Sequence, residues 1–179
     1  MLKVKTTRFG EIEVKDGDII ELPAGLIGFP ELKQYVMLDH DKDSPFKWLQ
    51  SLNDGAIAFV LINPLLFKPE YTVEVTEVEV SDLQLEAEED AVISVIITMP
   101  ANPQNMTANL KAPLVFNLKN KKGKQIILNN PAYTTRHNVM DEVKKRTSQS
   151  DASEVQRSVE QAIETQTAEA AEAAESGKK

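Results

Sequence analysis

Apolar and β-branched residues recur in short runs through the first 139 positions, and polar, turn-forming residues separate the runs. Alternation on both sides of Arg8, Phe9 and Gly10 predicts a hairpin between residues 2–7 and residues 11–14. Further short runs bounded by Asp, Asn and Gly are typical of meander strands, and they lie at residues 35–38, 47–52 and 56–62.

Residues 91–99 are nearly all apolar and β-branched, which predicts a central strand buried on both faces. Pro100 ends this strand, because proline has no backbone N–H to donate to a ladder. The polar, glycine-bearing residues 119–123 predict a second hairpin, between strands at 114–118 and 125–128. Many short strands at close spacing indicate an antiparallel barrel or sandwich. We expect a mainly β fold with a small antiparallel β-barrel-like domain.

The segment 70–85 has no clear period. Its four valines, at positions 73, 75, 78 and 80, fit neither alternation nor helical spacing, because the pattern shifts between Val75 and Val78. We predict a strand first and then a turn near Ser81 and Asp82.

The composition changes near residue 140, since the chain from Asp141 onward has no proline and no aromatic residue. A possible capping box begins at Ser153, and Val155, Val159 and Ile163 follow at helical spacing before an Ala/Glu run. This apolar stripe is too thin to pack strongly. The pattern therefore predicts two regions: a β-barrel domain at residues 1–139, and at residues 140–179 an acidic, Ala/Glu-rich tail that is largely disordered or transiently helical.

Charge narrows the classes of partner. Lys and Arg total 20 against 28 for Asp and Glu, which gives a formal net charge of -8. A surface that repels phosphate lacks the main source of nucleic-acid affinity, so direct RNA or DNA binding is disfavoured. The same charge favours a basic protein partner, because complementary potentials speed association.

The chain has no cysteine and only two histidines, His40 and His137. Disulfides, thiolate metal sites and a cysteine nucleophile are therefore excluded, and we expect neither metal nor cofactor. Residues 1–13 lack the apolar segment of a signal peptide, and no run approaches the roughly 18 apolar residues of a membrane span. These patterns predict a cytoplasmic protein.

Four stretches resemble the flagellar assembly factor FliW family in sequence, order and spacing: residues 22–32 (LPAGLIGFPEL), 45–52 (PFKWLQSL), 105–113 (NMTANLKAP) and 123–128 (GKQIIL). The resemblance implies a β-barrel-like protein that binds the C-terminal, filament-core part of new flagellin. It also implies binding to the RNA-binding regulator CsrA. In that family free flagellin occupies the factor, whereas secretion of flagellin frees it to bind CsrA and relieve repression of flagellin translation.

Three groups of residues are candidates for partner contacts. Leu26, Ile27 and Phe29 form either a tight glycine turn over an apolar contact or an exposed apolar rim. Asn105, Met106 and Asn109 either satisfy a buried turn or contact a partner. Glu86, Glu88 and Glu89, with Asp90, form an acidic run that is either a solvated loop or a patch facing CsrA. Trp48 is interpreted as a core residue rather than a contact.

The sequence favours a monomeric binding protein over an enzyme. A small β-barrel hydrolase or carbohydrate-binding protein that uses Asp39, Glu86 or Asp90 is the alternative, and it requires a pocket holding two carboxylates in unequal environments. An oligonucleotide-binding barrel would need a basic face with exposed aromatics. No nucleophile elbow, zinc motif or phosphate loop accompanies His137, which is predicted to lie on the surface of the last strand.

Overall fold

A computed structural model describes residues 1–39 and 41–147 of the chain. Its strands are β1 Leu2–Thr6, β2 Gly10–Val14, β3 Ile19–Glu21, β4 Gln34–Asp39, β5 Phe46–Ser51, β6 Ala58–Ile62, β7 Ala91–Thr98, β8 Thr107–Ala108, β9 Leu114–Asn117, β10 Lys122–Gln125 and β11 His137–Asn138. Two α-helices are described, α1 Glu77–Val80 and α2 Val139–Thr147. Single 3₁₀ turns lie at Asp16–Asp18, Pro64–Leu66, Ser81–Leu83, Glu88–Asp90 and Pro103–Asn105.

Seven strands close into a barrel. They follow the order β7-β6-β5-β4-β3-β10-β9, and β9 pairs with β7 again to complete the ring. Within this ring the β3–β10 pair is parallel, and the other pairs are antiparallel. The mainly β, barrel-like prediction is confirmed, as are the β1–β2 hairpin and the meander formed by β4, β5 and β6.

Two strand predictions need correction. Residues 70–76 form no strand, and α1 follows them because Thr76 and Glu79 make a reciprocal capping box that selects a helix. The hairpin strand predicted at 125–128 lies at Lys122–Gln125 instead. Gly123 fixes that position, since a Cβ there would come within 2.6 Å of the Phe116 ring.

The barrel interior is filled by one apolar cluster. Residues facing each other across neighbouring strands belong to it, such as Leu61 opposite Ile96 and Ile20 opposite Tyr35. Tyr35 is fully buried, and burial raises the pKa of its phenol to about 12. The buried members are Ile20, Leu22, Leu26, Tyr35, Leu49, Leu61, Leu114 and Phe116.

A second apolar cluster covers the outer face of β5, β6, β7 and β9. The alternate residues of these strands, including Trp48, Val60 and Ile97, meet side chains from segments outside the ring. Those segments contribute Phe67, Tyr71, Leu83, Met106, Leu110, Ile126, Leu128 and Tyr133. Trp48 is confirmed as core, at 6% exposure, with the Phe9 ring edge-on at 5.6 Å and the Arg8 guanidinium over its face. Strand β7 is less buried than predicted, because Val92 is 38% exposed.

The packed region continues past the predicted boundary at residue 139. Helix α2 places Val139, Met140 and Val143 in the outer cluster with 4% exposure or less. The sequence pattern missed this helix because three apolar side chains within five residues are too few to show a period. Residue His40 and residues 148–179 lie outside the described residues, and the helix predicted after Ser153 falls within the second of these ranges.

Glu142 anchors α2 through polar contacts. Its Oε1 lies 2.9 Å from His137 Nε2, 3.2 Å from Lys145 Nζ and 3.8 Å from Lys68 Nζ. Burial opposes ionisation of Glu142, but hydrogen bonds from Lys145 and His137 and the charge of Lys68 outweigh it, so the pKa of Glu142 is lowered. His137 is therefore half-buried and engaged with α2 rather than free on the surface of β11.

We expect a chain ending at Asn138 to unfold at a much lower temperature than a chain ending at Thr147. Each buried apolar side chain of α2 contributes about 1.5–3 kcal/mol, and a domain of this size is stable by only about 5–15 kcal/mol. Thermal melts followed by circular dichroism measure both proteins, and the Thr147 chain is the control because it keeps every described contact. Equal melting temperatures would show that α2 adds nothing.

We expect Glu142→Gln to lower the free energy of unfolding by about 1–3 kcal/mol at pH 7. Because the folded-state pKa of Glu142 is lowered, its stabilising effect is complete above the ordinary carboxyl pKa of about 4.3 and is lost as pH falls through the folded value. Urea unfolding from pH 7 to pH 3 should show the two proteins converging in acid. Glu13→Gln is the control at pH 7, since its ion pair with Lys3 is exposed.

Candidate partner-binding surfaces

The glycine-rich loop after β3 is a tight turn. Gly25 and Gly28 have φ of +69° and +89°, and a Cβ on Gly25 would lie 2.6 Å from the Phe29 carbonyl oxygen. The Phe29 N–H donates to the Leu26 carbonyl at 2.8 Å, and the Ile27 N–H donates to Gln125 Oε1 at 2.8 Å. This geometry confirms the turn interpretation and fixes the loop against β10.

The loop exposes one of its three candidate apolar residues. Leu26 is 3% exposed and belongs to the barrel interior, whereas Ile27 is 59% exposed. Phe29 is half-buried, with its ring edge-on to Phe59 at 5.3 Å. The proposed apolar rim is therefore reduced to Ile27 at the tip of the turn.

The amide candidates before β9 serve the fold. The Met106 side chain is 1% exposed, and its backbone carbonyl oxygen accepts the Val139 N–H at 3.0 Å, which holds the start of α2. Asn109 Oδ1 accepts the Ala112 N–H at 3.0 Å, which closes a turn. Asn105 is exposed on the 3₁₀ turn and Asn109 is half-buried, so Asn105 is the most accessible of these three residues.

The acidic run before β7 remains open to solvent at three positions, Glu86, Glu88 and Glu89. Asp90 is different: its Oδ1 lies 2.6 Å from Lys119 Nζ, and this hydrogen bond lowers the pKa of Asp90 and raises that of Lys119. Glu86 reaches the same ammonium at 3.7 Å. Lys119 thus holds the base of the run while its outer carboxylates face water.

A groove that the sequence did not indicate as a site lies on the outer layer. It has a volume of about 660 Å³ and runs between residues 72–79 and 127–133. Its lining consists of Thr72, Glu74, Val75, Thr76, Glu79, Ile127, Leu128, Asn129, Asn130, Pro131 and Tyr133. The signal available in the sequence was the strand predicted at the start of residues 70–85 and the end of the strand predicted at 125–128. Residues 71–76 form no strand, and β10 ends at Gln125.

The arrangement of carboxylates does not favour the hydrolase alternative. Asp39 and Asp90 are each bound to a lysine, Lys47 and Lys119, and with Glu86 they lie outside the groove. The groove does hold Glu74 and Glu79. However, backbone and side-chain hydrogen bonds from Thr76 lower the pKa of Glu79, the opposite of what a general acid needs. No group of three or more possible metal ligands occurs within residues 1–39 and 41–147.

Within the same described residues, no helix has the length and apolar character needed to cross a membrane.

Comparison with known proteins agrees with the fold and identifies the family. The family model described as FliW protein matches residues 3–139.

The flagellar assembly factor FliW of Alkaliphilus metalliredigens is 45% identical over 148 residues, covering 82% of this chain and 91% of the relative. That of Thermoanaerobacter pseudethanolicus is 42% identical over 144 residues, covering 80% and 96%. A crystal structure of the flagellar assembly factor FliW superposes with a TM-score of 0.72 at 38% identity, covering 77% of this chain and 96% of the other. The matched region, the barrel and the four motifs together place this chain in the FliW family of flagellar assembly factors.

Proposed function

We propose that this flagellar assembly factor binds the C-terminal, filament-core region of flagellin and, when flagellin is absent, binds CsrA and relieves its repression of flagellin translation. Family membership supports the proposal, because the motifs that carry the resemblance lie within the matched residues 3–139. In this proposal the protein works by binding alone, as a cytoplasmic monomer without cofactor, metal or chemical step.

The observation that best supports a basic partner such as CsrA is the distribution of charge. Residues 70–90 contain nine acidic side chains, and no Lys or Arg occurs from residue 69 through residue 110. Lys68 pairs with Glu70 at the start of this segment, at 2.6 Å, and the lysines from the β9–β10 region that approach the rest of it are Lys119, Lys122 and Lys124. Glu88 and Glu89 are exposed and make no ion pair with other described residues, so their charge is available to a partner.

Exposed apolar side chains support binding of flagellin. Three apolar side chains are largely exposed: Ile27 at 59%, Val78 at 81% and Ile127 at 58%. Each of them lies on a segment that backbone hydrogen bonds hold in place. Apolar residues presented on a fixed backbone lose little entropy when they bind an apolar face of a partner.

We expect the protein to bind monomeric flagellin, and to bind flagellin without its C-terminal segment at least about tenfold more weakly, a loss of roughly 1.4 kcal/mol. Isothermal titration calorimetry measures both affinities. Flagellin shortened at its N-terminus by the same length is the matched control. Equal affinity for full-length and C-terminally shortened flagellin would contradict the proposal.

We expect simultaneous replacement of Glu86, Glu88 and Glu89 by Gln to slow association with CsrA and to flatten its dependence on salt. Single exposed charges contribute only about 0.2–1 kcal/mol, so the triple variant is more informative than any single one. Stopped-flow association rates across a salt series measure the effect. The matched control replaces the exposed Glu11, Glu13 and Glu31 by Gln, which removes equal charge elsewhere. If both variants associate as fast as the parent at low salt, the acidic run does not face CsrA.

A further inference from the structure

The first wall of the outer groove behaves like a strand without a partner. Exposure alternates along residues 71–76, with Tyr71, Val73 and Val75 turned inward and Thr72, Glu74 and Thr76 turned outward. This period of two is typical of an extended chain. Among the described residues, the backbone N–H and C=O groups of Val73, Glu74 and Val75 have no hydrogen-bond partner.

The second wall has the same property on one edge. The Ile126 N–H donates to the Pro113 carbonyl oxygen at 2.9 Å, and the Leu128 N–H donates to the Lys111 carbonyl oxygen at 2.8 Å. Ile127 lies between them, and in an extended chain its N–H and C=O point to the opposite edge. Those two groups have no hydrogen-bond partner within residues 1–39 and 41–147. The Ile127 side chain is 58% exposed and lines the groove.

Unpaired strand edges are templates for another strand, because a partner backbone satisfies the free N–H and C=O groups. Here two such edges border one groove with an apolar lining from Val75, Ile127 and Leu128. The sequence itself predicts strands at both segments. Among the described residues, the backbone of residues 73–75 is unpaired, and residues 126–128 are paired along one edge only. The groove therefore has the geometry and the local β preference to accept an added strand.

The charge of the groove selects the kind of strand. Glu74 and Glu79 line it, and no Lys or Arg among residues 1–39 and 41–147 does. The nearby Lys124 is already engaged, since its Nζ lies 2.6 Å from the Glu79 carbonyl oxygen and 3.2 Å from Asp82 Oδ2. A basic side chain on an incoming strand would thus meet carboxylates without a competing cation in the lining.

We propose that this groove binds an extended segment of a partner protein by β-strand addition at the Ile127 edge. Alternate side chains of the segment are apolar and pack on Ile127 and Val75, and the intervening ones are Lys or Arg facing Glu74 and Glu79. This inference goes beyond the proposed function, because it concerns a binding mode and does not depend on flagellin or CsrA being partners.

The test uses a fluorescein-labelled octapeptide in which valine and lysine alternate, with fluorescence anisotropy on the full chain. We expect saturable binding that Ile127→Lys weakens about tenfold, or roughly 1.4 kcal/mol. Leu65→Lys is the matched control, because Leu65 is 47% exposed on another segment and should leave binding unchanged. Amide chemical shifts in an NMR titration should change at residues 72–76 and 127–130.

Two further comparisons separate strand addition from general attraction. Methylation of alternate backbone nitrogens in the peptide keeps the side chains but removes the donors, and we expect it to weaken binding about tenfold. Glu74→Lys should weaken binding and reduce its salt dependence more than Glu88→Lys, which makes the same charge change outside the groove lining.

Several outcomes would overturn the proposal. They are absence of binding at millimolar peptide, equal binding of the methylated peptide, equal binding of a peptide alternating valine and glutamate, and equal effects of the two lysine substitutions in either control pair. Equal binding of the methylated peptide would indicate that the groove recognises side chains alone, as it would on a helical segment.

Discussion

The fold depends on the pairing of one strand, β7, along both of its edges. Val95, Ile96 and Ile97 pair with β6, whereas Ala91 to Ser94 pair with β9 and close the barrel. Beyond Ser94 the second edge changes partner, and Ile97 and Thr98 pair with β8 instead. Closure removes the free edges that an open sheet would present, and the change of partner sends the chain out of the ring.

That exit creates the outer layer. From β8 the sheet continues to β11 and then to α2, whose apolar side chains pack on the outer face of the barrel strands. Tyr71 and Tyr133 lie in the same layer with ring centroids 4.7 Å apart, and Tyr71 donates to the Leu110 carbonyl at 2.8 Å. The segments of this layer are held by side chains more than by ladders, so some of their backbone groups remain unpaired and border the groove.

The acidic segment is attached to the barrel at a few points. Asn117 and Asn120 each donate a side-chain N–H to the Leu83 carbonyl, at 3.0 and 2.9 Å, and Lys119 binds Asp90. Lys119 also approaches Glu86, at 3.7 Å, and Lys124 pairs with Asp82 at 3.2 Å. These contacts leave Glu74, Glu77, Glu88 and Glu89 without an ion pair among the described residues, so this exposed segment keeps unpaired negative charge.

The sequence by itself determined the elements whose information is local. Alternation and turn chemistry predict the β1–β2 hairpin and the meander, and a continuous apolar, β-branched run predicts β7. The residues of the capping box, Thr76 and Glu79, are also visible in the sequence, although the valine spacing obscured the helix that they begin. The resemblance of four motifs predicts the family. Net charge indicates a basic partner because charge is additive along the chain.

Tertiary structure decided which residues are accessible. Leu26 and Met106 have the chemistry of contact residues, yet long-range packing buries both. It also decided that α2 belongs to the domain, since the three apolar side chains of α2 stabilise the fold only when they pack on the outer face of the barrel. The groove could not be predicted, because whether a strand-forming segment finds a ladder depends on partners distant in sequence. Within the described part of the chain, the backbone groups of Val73, Glu74 and Val75 find no partner, and the outer edge at Ile127 finds none either.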